Sequence, residues 1–187
     1  MSVRITGGIH RGRRLRPTRS AGLRPTTERV REAIFSILGQ GAVEGARVLD
    51  LYAGTGVLAM EALSRGAAWA DLVEVSAKQV SKIKENLREL SLQGEARVHQ
   101  ARVERALETL PKGYDLVFAD PPYEMNSWAS LMERLDEGGL VQEDGEVVVE
   151  YRHGTTLAEQ YGSLAQRTSR RYGDTVVSIY RAGAMNG

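Results

Sequence analysis

At 187 residues the chain has room for one domain of the usual ~150 residues and little besides. Its 42% hydrophobic and 26% charged residues exclude a disordered tail or a membrane-spanning protein. With no Cys there can be no disulfide, thiolate nucleophile or Cys-ligated zinc, and His10, His99 and His153 show no paired spacing, so no metal is expected.

No apolar run approaches the ~18 residues of a spanning helix, so no membrane contact is expected. The start MSVRITGGIHRGRR lacks the apolar core and cleavage site of a secretory signal, which makes the cytoplasm the expected location. The net charge of +1 hides an asymmetry. Residues 1–31 carry nine Arg against Glu28 alone, which is +8 and leaves −7 for the rest. A basic arm on an acidic body is the pattern of a protein that meets a polyanion with one end. The use of Arg rather than Lys favours forked contacts to phosphate. The bland alternative is a solubilising tail. The boundary is drawn at residue 25: 1–25 is a basic arm, expected to contact the polyanion, and 26–187 is the body.

In chain order, Val3 and Ile5, the Thr6-Gly7-Gly8 turn and the stretch to Leu15 predict a small hairpin with Arg side chains projecting. Arg24-Pro25-Thr26-Thr27-Glu28 reads as a helix start, followed by Val30, Ala33, Ile34, Ile37 and Leu38 at helical spacing and a stop at Gly39. From Arg47 short apolar strands alternate with amphipathic helices. Strands are predicted at 47–52, 70–75, 96–100, 115–120 and 145–151. Helices are predicted at 57–65, 77–91, 103–110 and 127–136, with a short one near 156–161. Continuous apolar strands suit a parallel sheet covered on both faces, hence a doubly wound, mostly parallel Rossmann-like α/β sheet. Runs 164–172 and 175–181 around Arg171-Tyr172-Gly173-Asp174-Thr175 predict a closing antiparallel hairpin at the C-terminus.

Three motifs carry chemistry. Asp50-Leu51-Tyr52-Ala53-Gly54-Thr55-Gly56 joins a strand to a helix, where ligands of doubly wound sheets sit. Its glycines allow close approach by a ligand, and it lacks the GxGxxG spacing of a dinucleotide loop. Asp50 could hold the cation of an amino-acid-bearing ligand. Glu74, about twenty residues on, ends the next strand, where a carboxylate can accept both hydroxyls of a ribose. Asp120-Pro121-Pro122-Tyr123 ends the strand Leu116-Val117-Phe118-Ala119. Its prolines lack N–H donors, so Asp120 and the Pro121 carbonyl present acceptors to an exocyclic amine while Tyr123 stacks on the base.

These residues resemble a class I S-adenosylmethionine-dependent methyltransferase with the [DN]PP[YF] signature. Arg4-Ile5-Thr6-Gly7-Gly8, Arg11 to Leu15, Leu23 to Phe35 and Arg171 to Thr175 resemble more narrowly the RsmD family of bacterial rRNA guanine-N2 methyltransferases. The resemblance covers almost the whole chain. It implies transfer of methyl from S-adenosylmethionine to N2 of a guanine in small-subunit (16S) rRNA, within an assembled or assembling subunit and without an obligate protein partner. It assigns cofactor contacts to Asp50, Tyr52, Ala53, Gly54, Thr55, Gly56, Glu74, Val75, Arg102, Val103 and Asp120. Asp120, Pro121, Pro122 and Tyr123 take the catalytic place, and Arg4, His10, Arg11, Arg13, Arg14 and Arg24 the RNA contacts.

Two positions depart from the family pattern. Ser76 replaces an acidic residue two past Glu74, and Gln100-Ala101-Arg102-Val103 stands where relatives place an Asp near adenine. Adenine would then rest on apolar packing and backbone groups around 101–103, or on Glu104. Adenine-N6 methylation and a non-catalytic RNA-binding assembly factor remain alternative readings.

Overall fold

The computed structural model describes residues 3–16, 27–122 and 128–184. Arg24, the helix start before Thr27, and Tyr123 lie outside them. The chain opens with strands β1 (Val3–Arg4) and β2 (Arg14–Leu15), which pair antiparallel. Helix α1 (Glu28–Leu38) is capped by Thr27, whose side chain accepts from the N–H of Val30.

The body then alternates β3 (Arg47–Leu51), α2 (Val57–Ser64), β4 (Trp69–Glu74), α3 (Ala77–Glu89), β5 (Ala96–Gln100), α4 (Val103–Ala106), β6 (Tyr114–Ala119), α5 (Trp128–Glu137) and β7 (Val141–Arg152). It closes with β8 (Gln160–Tyr161), β9 (Leu164–Tyr172) and β10 (Thr175–Ala182). An eight-stranded sheet runs in the order β5-β4-β3-β6-β7-β10-β9-β8. Its first five strands are parallel, and β10, β9 and β8 add on antiparallel. The expected doubly wound sheet and closing hairpin are therefore found.

One face of the sheet packs under α1, α2 and α3, with Ile34, Phe35, Met60, Ile83 and Leu116 in its core. The other packs under α4 and α5, with Leu49, Tyr114, Met132 and Tyr180. Three expectations need correction. The helix expected over 103–110 ends at Ala106, and turns and a bend follow over 107–110. The region near 156–161 is not a helix. Gly154, Thr155 and Thr156 favour no helical turn, and Tyr161 pairs with Leu164 and sets its ring 5.8 Å from that of Tyr180, which makes an edge strand. The seventh strand begins at Val141 instead of 145, and a register irregularity between Tyr114 and Leu116 absorbs its polar start. None of the helices formed by the described residues is long and apolar enough to cross a membrane.

Candidate active site

Strand order reverses between β3 and β6, because the chain builds β3, β4 and β5 outward on one side and β6 and β7 on the other. The loops leaving β3 and β6 therefore diverge and open a crevice at the carboxyl edge. A cavity of about 460 Å³ lies there. It is lined by Tyr52 and Gly54 after β3, Val73 and Glu74 at the end of β4 with Val75, Ser76 and Gln79 after it, Ala101 to Glu104 after β5, and Asp120 and Pro122 after β6.

Glu74 organises this cavity and is only 8% exposed. One of its oxygens accepts the N–H of Gly54 at 2.9 Å and the other the N–H of Ser76 at 2.8 Å. Each oxygen keeps acceptor capacity for a ligand hydroxyl. The carboxylate thus ties the glycine loop of β3 to the start of α3. Ser76, the departure from the family's acidic residue, caps α3.

Tyr52 holds φ at 58°, a left-handed conformation costly for a bulky residue, and burial pushes its hydroxyl pKa up to about 12. Val75 is 60% exposed, an apolar side chain left open at the wall of the cavity beside buried Val103. Asp120 is half-buried and Pro121 is buried behind it.

The structure brings Tyr52, Gly54, Glu74, Val75, Arg102, Val103, Asp120 and Pro122 to one cavity wall. Asp50, Ala53, Thr55, Gly56 and Pro121 do not line it. Asp50 is buried beneath the loop, where one oxygen accepts the N–H of Ala59 at 3.1 Å in the first turn of α2. Burial, followed by the nearby charge of Glu74, raises its pKa to about 8, so its place is in the loop's foundation. Gly56 serves packing: a Cβ there would stand 3.0 Å from Leu72 and 3.1 Å from Met60, at a φ of 72°.

Gln79 was missed by sequence reasoning. It lines the cavity, is buried, and its Oε1 has no hydrogen-bond partner. A polar residue in the first turn of an amphipathic helix looks like a solvent-facing one, so no sequence signal marked it. A buried acceptor without a partner on a pocket wall wants a donor from whatever fills the pocket. Gly54 presents open space on the same wall, since a Cβ there would meet only Tyr52 and Gln79 at 3.8 and 3.9 Å. Carboxylate acceptors, an orphaned amide oxygen, and apolar Val75 and Val103 fit a hydroxyl-bearing nucleoside with a flat base.

The basic arm lies elsewhere. Its hairpin docks on the far ends of α2 and α3, with Ile9 donating to the Ser64 carbonyl at 2.8 Å and Arg13 to that of Glu89 at 2.8 Å. Ser64 is about 12 Å down α2 from the carboxyl edge at 1.5 Å per residue. Arg4 is paired with Glu28 and Arg16 with Glu89. Exposed Arg11 and Arg14 meet no carboxylate among the described residues, and His10 is half-buried with its N–H on Ser64.

A second cavity of about 430 Å³ is lined by Glu44, Asp115, Glu143, Asp144 and Glu146 with Arg167 and Arg181, an acid excess unsuited to a polyanion.

The family described as "Conserved hypothetical protein 95" matches residues 3–181. Ribosomal RNA small subunit methyltransferase D of Escherichia coli is 38% identical over 148 residues, 79% of this chain and 74% of that one. The chain belongs to this methyltransferase family. YlbH of Bacillus subtilis is 37% identical over 182 residues, 96% of this chain and 98% of its own. The solved structure of yhhF from Escherichia coli superposes with a TM-score of 0.86 at 31% identity, covering 99% of this chain and all of that one. Family membership thus accords with the methyltransferase resemblance carried by the N-terminal and loop motifs, and with an enzymatic role for the crevice.

Proposed function

We propose that the chain transfers a methyl group from S-adenosylmethionine to the N2 amine of a guanine in 16S rRNA, in the cytoplasm and within an assembled or assembling small ribosomal subunit, with no obligate protein partner. The observation that carries this reading is the convergence of the Tyr52–Gly54 loop, Glu74 and the Asp120–Pro122 segment on one crevice at the switch point. The E. coli relative's name supplies the substrate class, small-subunit rRNA.

S-adenosylmethionine supplies a methyl already made electrophilic by its sulfonium, so the reaction asks for no metal. Glu74 would accept the ribose hydroxyls with the lone pairs left over from Gly54 and Ser76. Gln79 would accept one further donor, and Val75 and Val103 would flank adenine. Asp120 and the carbonyl of Pro121 would accept the N–H groups of the target amine, localise its lone pair and receive charge developing on nitrogen. Because Pro121 and Pro122 have no N–H, the backbone of neither competes for that lone pair. Tyr123 would stack on the base, which must leave its own stack to enter. The exposed Arg11 and Arg14 of the hairpin would hold phosphates farther out.

The test is incubation of unmodified 16S rRNA and of small subunits with protein and isotopically labelled S-adenosylmethionine, followed by mass spectrometry of the nucleosides. N2-methylguanosine is expected. N6-methyladenosine would move the reaction to a different amine. Cofactor binding without transfer to either substrate would make the protein a non-catalytic binder.

A further inference from the structure

The docked arm leaves open what holds RNA beside the crevice itself, and the C-terminal hairpin supplies a candidate. Ala119 is level with Val149 in the sheet, so β7 runs past the Asp120 position to Arg152. Arg152 is opposite Thr175, and Thr175 is opposite Tyr172. The tip of the β9–β10 hairpin and the turn after β7 therefore rise at the same carboxyl edge as the crevice. Three inter-strand spacings separate β6 from β9, about 15 Å.

This tip is basic. Arg152, His153, Arg170 and Arg171 are all exposed, with exposed Asp174 in the turn between β9 and β10 and buried Glu150 two strands from Arg170 in the same row. Among the described residues no carboxylate lies within ion-pair distance of Arg152, Arg170 or Arg171, unlike Arg4 and Arg16 of the arm. The tip is also braced. Arg171 donates to the Gly173 carbonyl at 2.8 Å and sits 3.0 Å from the ring nitrogen of His153, whose N–H is held by the Asp174 carbonyl at 2.7 Å. Arg171 falls on the sheet face of Tyr151, to which it is linked through Val176. The Tyr151 ring packs edge-on at 6.0 Å against Trp128, the first residue of α5 and the landing point of the segment that leaves Pro122. Arg152 and Arg170, in the rows of Thr175 and Val177, fall on the opposite face, so guanidinium groups flank the tip from both faces at the carboxyl edge, placed to hold the backbone of a polyanion while one base is in the crevice.

We infer that Arg152, Arg170 and Arg171 form a second RNA-phosphate contact surface, next to the active site and distinct from the N-terminal hairpin. This rests on the RNA methyltransferase reading above. The Arg171-Tyr172-Gly173-Asp174-Thr175 motif thereby gains a role, shaping the tip that presents these cations.

The test measures binding of the full chain to an unmodified 16S rRNA transcript across a salt series, together with steady-state methylation. Arg152→Gln with Arg170→Gln should lower the slope of log affinity against log salt by about one per arginine. It should raise KM for RNA severalfold, with kcat and cofactor affinity unchanged. Asp174→Asn, which keeps its backbone carbonyl and removes the exposed acid of the hairpin turn, should tighten RNA binding and steepen the slope. Arg171→Lys should retain more affinity than Arg171→Gln. If the parent binds and methylates the transcript while the double variant and Asp174→Asn both match its slope and KM, this surface is overturned and the active-site reading stands. If the parent neither binds nor methylates this transcript or unmodified small subunits, both fall.

Discussion

Glu61 accepts both the backbone N–H and the hydroxyl of Thr6, the latter at 2.6 Å, across 55 residues of sequence. The same carboxylate takes the N–H of Gly7 at 2.8 Å and faces Arg65 at 3.0 Å and Arg31 at 3.8 Å. Glu61 is 0% and Arg31 1% exposed, so the charges are out of water and depend on one another. Glu61→Ala should cost about 3–5 kcal/mol, because it strands a buried guanidinium and two backbone donors. Denaturant unfolding measures this, and hydrogen exchange at Thr6 and Gly7 should rise in parallel. A loss under about 1 kcal/mol would mean that water or another side chain replaces the carboxylate.

Glu74 joins the β3 loop to the start of α3, so its removal acts twice. Glu74→Ala should weaken S-adenosylhomocysteine binding by about 1–3 kcal/mol, through lost acceptors and through release of the Gly54 and Ser76 N–H groups. Isothermal calorimetry on the folded variant decides it, and an unchanged affinity would take Glu74 out of the site.

Asp120→Ala should lose most methyl transfer while keeping much of the RNA affinity, since its proposed part lies in aligning and accepting charge from the amine. Tyr123→Phe should be tolerated, whereas Tyr123→Ala should lose about 1–3 kcal/mol of base stacking. Single-turnover methylation separates these outcomes. A near-parental rate for Asp120→Ala would remove the carboxylate from the mechanism.

Asp50 gives the fold a pH dependence of unusual sign. Its folded pKa of about 8 lies above its ordinary value of 3.8, so the folded state binds the proton more tightly than the unfolded one. This contribution is complete below pH ~4 and is lost as pH rises towards about 8. Asp50→Asn should remove it, and the denaturation midpoint of the variant relative to the parent should climb over that window. A constant difference between the two proteins from pH 4 to 8 would contradict the assignment.

The inner parallel strands β3, β4 and β6 were legible because they are mostly apolar runs buried on both faces, and the loops after them were legible because glycine and proline leave local signatures. What could not be read depended on tertiary partners. Glu61 sits in a helix whose eight residues are all buried, and a lone carboxylate inside Val57-Leu58-Ala59-Met60-Glu61-Ala62-Leu63 was the one signal it left. Charge counting made residues 1–31 a basic arm, yet Val3, Ile5 and Leu15 are core residues, and Arg4, Arg13 and Arg16 are engaged with Glu28 and Glu89. A sum of formal charges does not register that the acids lie 24 to 76 residues away. Gln79 stayed hidden for the same reason: its significance comes from the cavity and not from its neighbours in sequence.

The hairpin's docking also constrains how the chain can be made. Its anchors are Glu61, 55 residues downstream of Thr6, and Asn86 and Glu89, 70 and 73 residues downstream of Arg16. The hairpin can pair its own strands and meet Glu28 early, but its anchors on α2 and α3 exist only once those helices have been made. Its apolar Val3, Ile5 and Leu15 must wait through the synthesis of β3 and β4, and loop-closure entropy puts their docking late. During synthesis the hairpin would settle on the helical face only after α2 and α3, although it precedes both in the chain.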